Sequence, residues 1–287
     1  GSDYSPTELS AAVLKALKKQ TEERIGPITD AVVTIPANFS NEARDATMEA
    51  AKMAGLDVKY IINEPTAAAL YYAYHSDGDL SGSYVVFDLG GGTFDVSIIK
   101  VTGQDVEVLS SNGVHKLGGA DFDLALWKIV AQKYQDESGQ VLTTEEFSMN
   151  DAEDAKKSIS ERKKTTVEIE REFVDLSRVE FEEAISSMLA QIEMMCETTL
   201  DEAGIDVSDI SDVFLAGGST RMPVVRDIAQ KVFQREPSST VNVDEVVALG
   251  ASLYAAHKSD GSNLSEIQKK SIDQLKVAER TNCFLGT

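Results

Sequence analysis

Three things are scarce in this sequence. Basic residues are the first: 27 Lys and Arg face 48 Asp and Glu over 287 residues, a formal net charge of −21. Nucleic-acid binding needs a basic footprint, so it is not expected; the acidic surface instead favours solubility and steers basic partners. Cysteine is the second, with only Cys196 and Cys283. Two cysteines make no disulfide framework, which points to a reducing, cytoplasmic setting. Long apolar runs are the third: no stretch approaches the ~18–20 residues of a membrane span, and there is no signal-peptide pattern. Nothing before residue 30 reads as a strand, and Gly1-Ser2 has the look of a cloning remnant, so the chain reads as a fragment.

What is present centres on one stretch, Tyr84-Val85-Val86-Phe87-Asp88-Leu89-Gly90-Gly91-Gly92-Thr93-Phe94-Asp95-Val96-Ser97-Ile98-Ile99. A β-branched and aromatic run leads to an aspartate, then three glycines and a threonine, then a second apolar run. This spacing predicts a strand, a tight turn and a returning strand. The glycines would allow positive φ and let backbone N–H groups approach a ligand without a Cβ in the way. Asp88 and Asp95 flank the turn, so both carboxylates can face one ligand. Backbone donors with hard oxygen ligands suit a phosphate carried with Mg²⁺. A hairpin whose glycines serve only the turn is the alternative.

The remaining elements alternate between helix and strand. Ser5-Pro6-Thr7-Glu8 is a capping box with proline at the first helical position; Leu9, Val13, Ala16 and Leu17 follow at helical spacing, and Gly26-Pro27 ends the helix. A strand over Ala31–Ile35 stops at Pro36. Ser40 caps a second helix that stops at Gly55, Val58–Ile62 is a short strand, and Glu64–Tyr74 is a third helix. A helix-starting glutamate such as Glu64 is stabilised by the helix dipole whatever else it does. Asp105–Ser111 alternates as a strand. From Asp121 to about Ala184 the chain reads as an insertion with its own helices and a β segment near Thr165–Phe173. Within it, Glu153, Lys156, Lys157 and Ser160 fall on one helical face, which by itself could be ordinary ion pairing on a solvated helix. Ser177–Ala203 predicts one long amphipathic helix ending at Gly204. Asp212–Ala216 then runs into Gly217-Gly218-Ser219-Thr220-Arg221-Met222-Pro223 and a helix, a layout suited to anions or nucleotides.

Six of these segments, in the same order over residues 30 to 256, resemble the 70-kDa heat-shock (DnaK-type) chaperone family of actin-like ATPases. They are Ile35-Pro36-Ala37-Asn38-Phe39 with Arg44; Asn63-Glu64-Pro65-Thr66-Ala67-Ala68-Ala69; the Asp88–Asp95 hairpin; Leu117-Gly118-Gly119-Ala120-Asp121-Phe122-Asp123; the helix around Ala152–Ser160; and Gly217–Pro223 with the run Asn242–Ala251. The resemblance implies an α/β, ribonuclease H-like (actin-like ATPase) fold with a partial lobe I and a complete lobe II. Residues 3–80 would be the remainder of lobe I, 82–120 and 185–258 the core of lobe II, 121–184 its inserted subdomain, and 259–287 a linker with the start of a C-terminal domain. ATP or ADP with Mg²⁺ is the implied cofactor, with the metal at Asp88 and Asp95 and with Glu64 and Thr93 joining them as catalytic residues. Gly90, Gly91, Gly92 and Thr93 would bind phosphate. Glu153, Lys156, Lys157, Ser160, Gly217, Gly218, Ser219, Arg221, Met222 and Asp244 would hold the adenosine. Lys157 stands where the family has an arginine stacked on the base; lacking a planar guanidinium, it should stack less well.

The family's first phosphate hairpin and catalytic lysine lie N-terminal to the matching region, and no second Asp-x-Gly-Thr-Thr motif occurs. Weak or absent ATP hydrolysis by the fragment is therefore expected. The implied partners are a J-domain co-chaperone, a nucleotide exchange factor, and unfolded polypeptides bound by a separate domain; neither nucleic acid nor membrane is among them. Two other readings compete: a sugar kinase of the same fold, which the adenosine helix and hairpin do not support, and a non-enzymatic module whose acidic surface, with Asp105 and Glu107 as candidates, docks co-chaperones or exchange factors.

Overall fold

The computed structural model describes residues 4–75, 81–102, 105–170, 172–238, 241–258 and 278–280. They form two compact units. The first runs up to Ser81 and also takes Ile99–Val108 and the chain from Val246 onward; the second takes Gly82–Ile98 and Leu109–Glu245.

In the first unit, helix α1 (Pro6–Ile25) starts as the sequence dictates. Ser5 accepts from the Glu8 amide, and Glu8 accepts from the Ser5 amide at 2.7 Å. Gly26, at φ +90°, ends it. Its Leu9, Val13 and Leu17 are all more than half exposed, so the stripe they form faces solvent. Strand β1 (Asp30–Ile35), helix α2 (Asn41–Met53, capped by Ser40) and strand β2 (Asp57–Asn63) make a βαβ unit with β1 and β2 parallel. A parallel pair needs such a crossover. Helix α3 (Glu64–His75) follows without a loop and buries Ala67, Ala68, Ala69, Leu70 and Tyr72. It packs against helix α9 (Val246–Lys258), with Ile62, Ala67, Leu70, Ala251 and Tyr254 forming the apolar contact. Contact is closest at Gly250, where a Cβ would lie 1.8 Å from the Ala67 carbonyl oxygen.

In the second unit, strands β3 (Gly82–Leu89), β4 (Phe94–Thr102), β5 (Asp105–Val114) and β8 (Ile210–Ala216) lie in the sheet order β8-β3-β4-β5. The distal parts of β4 and β5 are counted with the first unit, where Asp105–Glu107 pair in parallel with β9 (Ala278–Arg280). The rest of the expected linker, 259–277 and 281–287, lies outside the described residues. Strands β3 and β8 are parallel, with Asp88 opposite Ala216. Helices α4 (Gly119–Ser138) and α5 (Met149–Glu161) follow β5; then strands β6 (Lys164–Ile169) and β7 (Glu172–Ser177), helices α6 (Arg178–Ala184) and α7 (Ser186–Ala203), and, after β8, helix α8 (Pro223–Phe233). One hydrophobic cluster runs from the sheet (Val85, Phe87, Ile98) through the inserted elements (Phe122, Ile159, Val174) to Phe233.

Two details differ from the sequence expectation. The β segment near Thr165–Phe173 is an antiparallel pair, with Glu170 beside the reversal at φ +54°. The helix expected over Ser177–Ala203 is broken at Ile185, whose ψ of 6° departs from the helical value near −42°. Ile185 is fully buried, so the break serves core packing, and no Gly or Pro announces it.

The Gly250 contact generates a stability prediction. Gly250→Ala drives a methyl group into the Ala67 backbone, which cannot rotate away, and overpacking of this kind costs about 1–3 kcal/mol or more. The substitution should lower the melting temperature by several degrees in a thermal scan; an unchanged value would mean that α3 and α9 can separate at no cost.

Candidate functional site

The parallel β3–β8 pair delivers two glycine turns side by side in the second unit. The first follows β3: the Gly90 amide donates to the Thr93 carbonyl at 3.1 Å and closes a four-residue turn into β4. None of Gly90, Gly91 or Gly92 adopts positive φ, contrary to the sequence expectation. Their value is steric. A Cβ on Gly91 or Gly92 would meet nothing within 4 Å, leaving that side of the turn open. The other side is covered by Gly118, where a Cβ would lie 2.5 Å from the Gly92 nitrogen. The first α4 amides then bond the turn: Gly119 N–H to the Gly90 carbonyl at 2.9 Å and Ala120 N–H to the Gly91 carbonyl at 2.7 Å.

The second turn follows β8. Gly217 has φ +83°, and a Cβ there would lie 2.3 Å from the Leu89 carbonyl oxygen and 2.8 Å from Asp88 Oδ1. Both the conformation and the approach require glycine. A short 3₁₀ turn over Gly218–Arg221 leads into α8, which Pro223 begins. Ser219 Oγ donates to the Gly90 carbonyl at 3.0 Å, tying the two turns together.

Between these turns and α5 lies a cleft of about 730 Å³, within the range of small-molecule sites. Its lining includes Gly90, Gly91, Glu153, Lys156, Lys157, Ser160, Gly218, Ser219, Arg221, Met222 and Asp244. Eleven of the sequence-predicted residues from four separate segments thus meet in one cavity. Arg221 is held by Asp244 at 2.6 Å and Asn242 at 3.0 Å. Lys157 pairs along its own helix with Glu153 at 2.9 Å and Asp154 at 3.7 Å. Ser160 Oγ donates back to the Lys156 carbonyl at 2.8 Å. Gly92, Thr93 and Gly217 are not part of the lining; the first two are exposed on the turn and Gly217 lies beneath it.

Asp88 and Asp95 sit at the base of the first turn, each half-buried. Burial, and after it the charge of Asp95, pushes the Asp88 carboxyl up to about 6. Two carboxylates in mutual repulsion suit a divalent cation. Among the described residues no group of three or more His, Cys, Asp or Glu could hold a metal. Two carboxylates alone could supply only part of the oxygen shell of a hard cation such as Mg²⁺.

Glu64 belongs to the first unit, where it opens α3 directly after Asn63. Nearby in that unit, Arg44 donates to the Phe39 carbonyl and to Asn63 Oδ1, both at 3.4 Å. Glu107 is half-buried, and the side chain of Asp105 lies outside the described residues.

Sequence reasoning missed four residues of the lining, Gly119, Ala120, Asp123 and Glu161. Of these, Asp123 is the charged residue paired inside the cleft. It lies four residues after Gly119, on the same face of α4, and burial raises its carboxyl despite a hydrogen bond from Lys156.

Comparison with known proteins bears on the same chain. The family model described as Hsp70 protein matches residues 1–281. The chaperone protein DnaK of Deinococcus proteolyticus is 39% identical over 284 residues, covering 93% of this chain and 45% of that protein. The chain thus spans less than half the length of that relative.

Asp88 gives a signed pH prediction. Its folded value lies above the ordinary one near 3.9, so between about pH 4 and 6 the folded chain keeps a proton that the unfolded chain has lost. The group's contribution is most favourable at low pH and is lost as pH rises through 6. At pH 7.5 the ligand-free protein carries a cost on the order of 3 kcal/mol. Asp88→Asn should raise the ligand-free melting temperature at pH 7.5, and the gain over the unaltered protein should fade toward pH 4. A gain independent of pH would contradict this account.

Proposed function

The chain belongs to the Hsp70 family, with the mixed α/β fold of its actin-like ATPase, and from that premise we propose that the cleft binds ATP or ADP with Mg²⁺ as the nucleotide module of a chaperone. One observation carries the reading: the glycine turn, the α5 face and the Gly217–Met222 turn converge on a single nucleotide-sized cavity. Glu153, Lys156 and Ser160 would face the ribose and base. Arg221, held by Asp244 and Asn242, would lie against the adenine. Gly90, Gly91, Gly92 and Thr93 would hold phosphate oxygens on the open side of the turn. Asp88 and Asp95 would hold Mg²⁺, which supplies charge neutralisation for the phosphates when bound.

Hydrolysis in this reading is positioning and electrostatic stabilisation, the general requirement of phosphoryl transfer. Glu64 would orient the attacking water. Nucleotide state would govern polypeptide binding in a separate domain of a longer protein, with a J-domain co-chaperone and an exchange factor as partners. The cytoplasm is the proposed location; the buried thiol of Cys196, pushed well above its ordinary range by burial, is in keeping with a reducing compartment.

Calorimetric titration of the chain with Mg·ADP tests the reading: saturable binding is expected, and no heat at millimolar nucleotide would overturn it. Position 157 offers a gain-of-function check. A guanidinium stacks on a ring where an ammonium does so less well. Lys157→Arg should therefore tighten ADP binding by roughly 2–5-fold. Unchanged or weaker binding would show that this side chain does not meet the base.

A further inference from the structure

Among the described residues the buried charged side chains are two, Asp123 and Lys156. They are paired with each other, Lys156 Nζ to Asp123 Oδ1 at 2.7 Å, and both line the cleft. Among the described residues, the buried charges are therefore both placed at the candidate site. Stability does not explain them, because a buried ion pair commonly gains no more than an apolar pair of the same size.

The geometry gives the pair a different task. Lys156 also donates to the Gly119 carbonyl at 3.1 Å. Gly119 and Asp123 are one turn apart on α4, so the ammonium of α5 is gripped at two points by the first turn of α4. That turn bonds the glycine hairpin through the Gly119 and Ala120 amides. An ammonium has three donors; one is directed at the Gly119 carbonyl and the contact with Asp123 is an ion pair, so donor capacity remains for whatever enters the cleft. A side chain at Gly119 would press on the same groups, since a Cβ would lie 3.3 Å from Lys156 Nζ and 2.9 Å from Ser219 Oγ. Lys157, by contrast, is exposed, and its ion pairs among the described residues run along its own helix.

We propose that Asp123 is a positioning residue: it sets the Lys156 ammonium in the cleft at a fixed distance from the glycine turn, so that one donor is pre-aimed at the ligand. The proposal rests on the nucleotide reading for the identity of that ligand. It does not require Asp123 to touch the nucleotide.

The test uses the full chain and three variants, Asp123→Asn, Lys156→Met and the two combined, each titrated with Mg·ADP. Asp123→Asn should weaken binding at least tenfold, and the double variant should bind no more weakly than Lys156→Met alone, because Asp123 acts through Lys156. Asp123→Asn leaves a buried charge unpaired and could unfold the unit; the double variant removes both charges and should melt near the unaltered protein. A ligand-free readout runs beside this. Acetylation of Lys156 by an excess of N-hydroxysuccinimide acetate, followed by mass spectrometry, should be slow in the unaltered chain and at least fivefold faster in Asp123→Asn. Full ADP affinity in Asp123→Asn, additive losses in the double variant, or an unchanged acetylation rate would each overturn the proposal while leaving the nucleotide reading intact. Absence of ADP binding by the unaltered chain together with accelerated acetylation would do the reverse, removing the nucleotide and keeping the positioning role.

Discussion

The arrangement of the second unit depends on the parallel pairing of β3 with β8. Asp88 opposite Ala216 fixes where both strands end, and so puts the Gly90 and Gly217 turns next to each other. Parallel strands release their following segments at the same sheet edge, which is where open α/β sheets place their ligands. The pairing can bring the turns this close only because side chains are missing. Gly217 lies against the Leu89 carbonyl, and Gly118 lies against Gly91 and Gly92. Each of these contacts is backbone on backbone, which gives the site a rigid floor.

Electrostatics adds a second constraint. Among the described residues the buried charged side chains, Asp123 and Lys156, lie beside the cleft, and Asp88 is held with its ionised form disfavoured. Domains are stable by only about 5–15 kcal/mol, so a cost on the order of 3 kcal/mol at one aspartate is a large fraction of the total. Perturbed carboxylates of this kind concentrate at working sites because the work needs them there. A divalent cation at the Asp88–Asp95 pair would convert that cost into binding energy.

How much of this could be read in the sequence varies with how local the determinant is. The start and end of α1 were legible because Ser5, Glu8 and Gly26 act on their own neighbours. The glycine hairpin and the α5 face were legible as motifs, and residues of both line one cleft. What failed was non-local. The break at Ile185 answers to core packing around a buried side chain, not to a breaker residue. The hairpin glycines were read for backbone freedom, whereas their conformations are ordinary and their small size is what the packing uses. Asp123 was one acidic residue among 48; its distinction is enclosure beside Lys156, which only folding creates.

The hydrogen bonds from the start of α4 to the Gly90 and Gly91 carbonyls have a mechanical side. Helix α4 has 20 residues, a rod about 30 Å long at 1.5 Å per residue. One end is bonded to the hairpin that lies beneath the cleft. If a ligand tilts that end by about 5°, the far end near Gly139 swings by roughly 2–3 Å over such a length. Phe122, Leu126, Val130 and Tyr134 bury the helix along that length, so such a tilt at the glycine turn would be felt through the core as far as its distant tip.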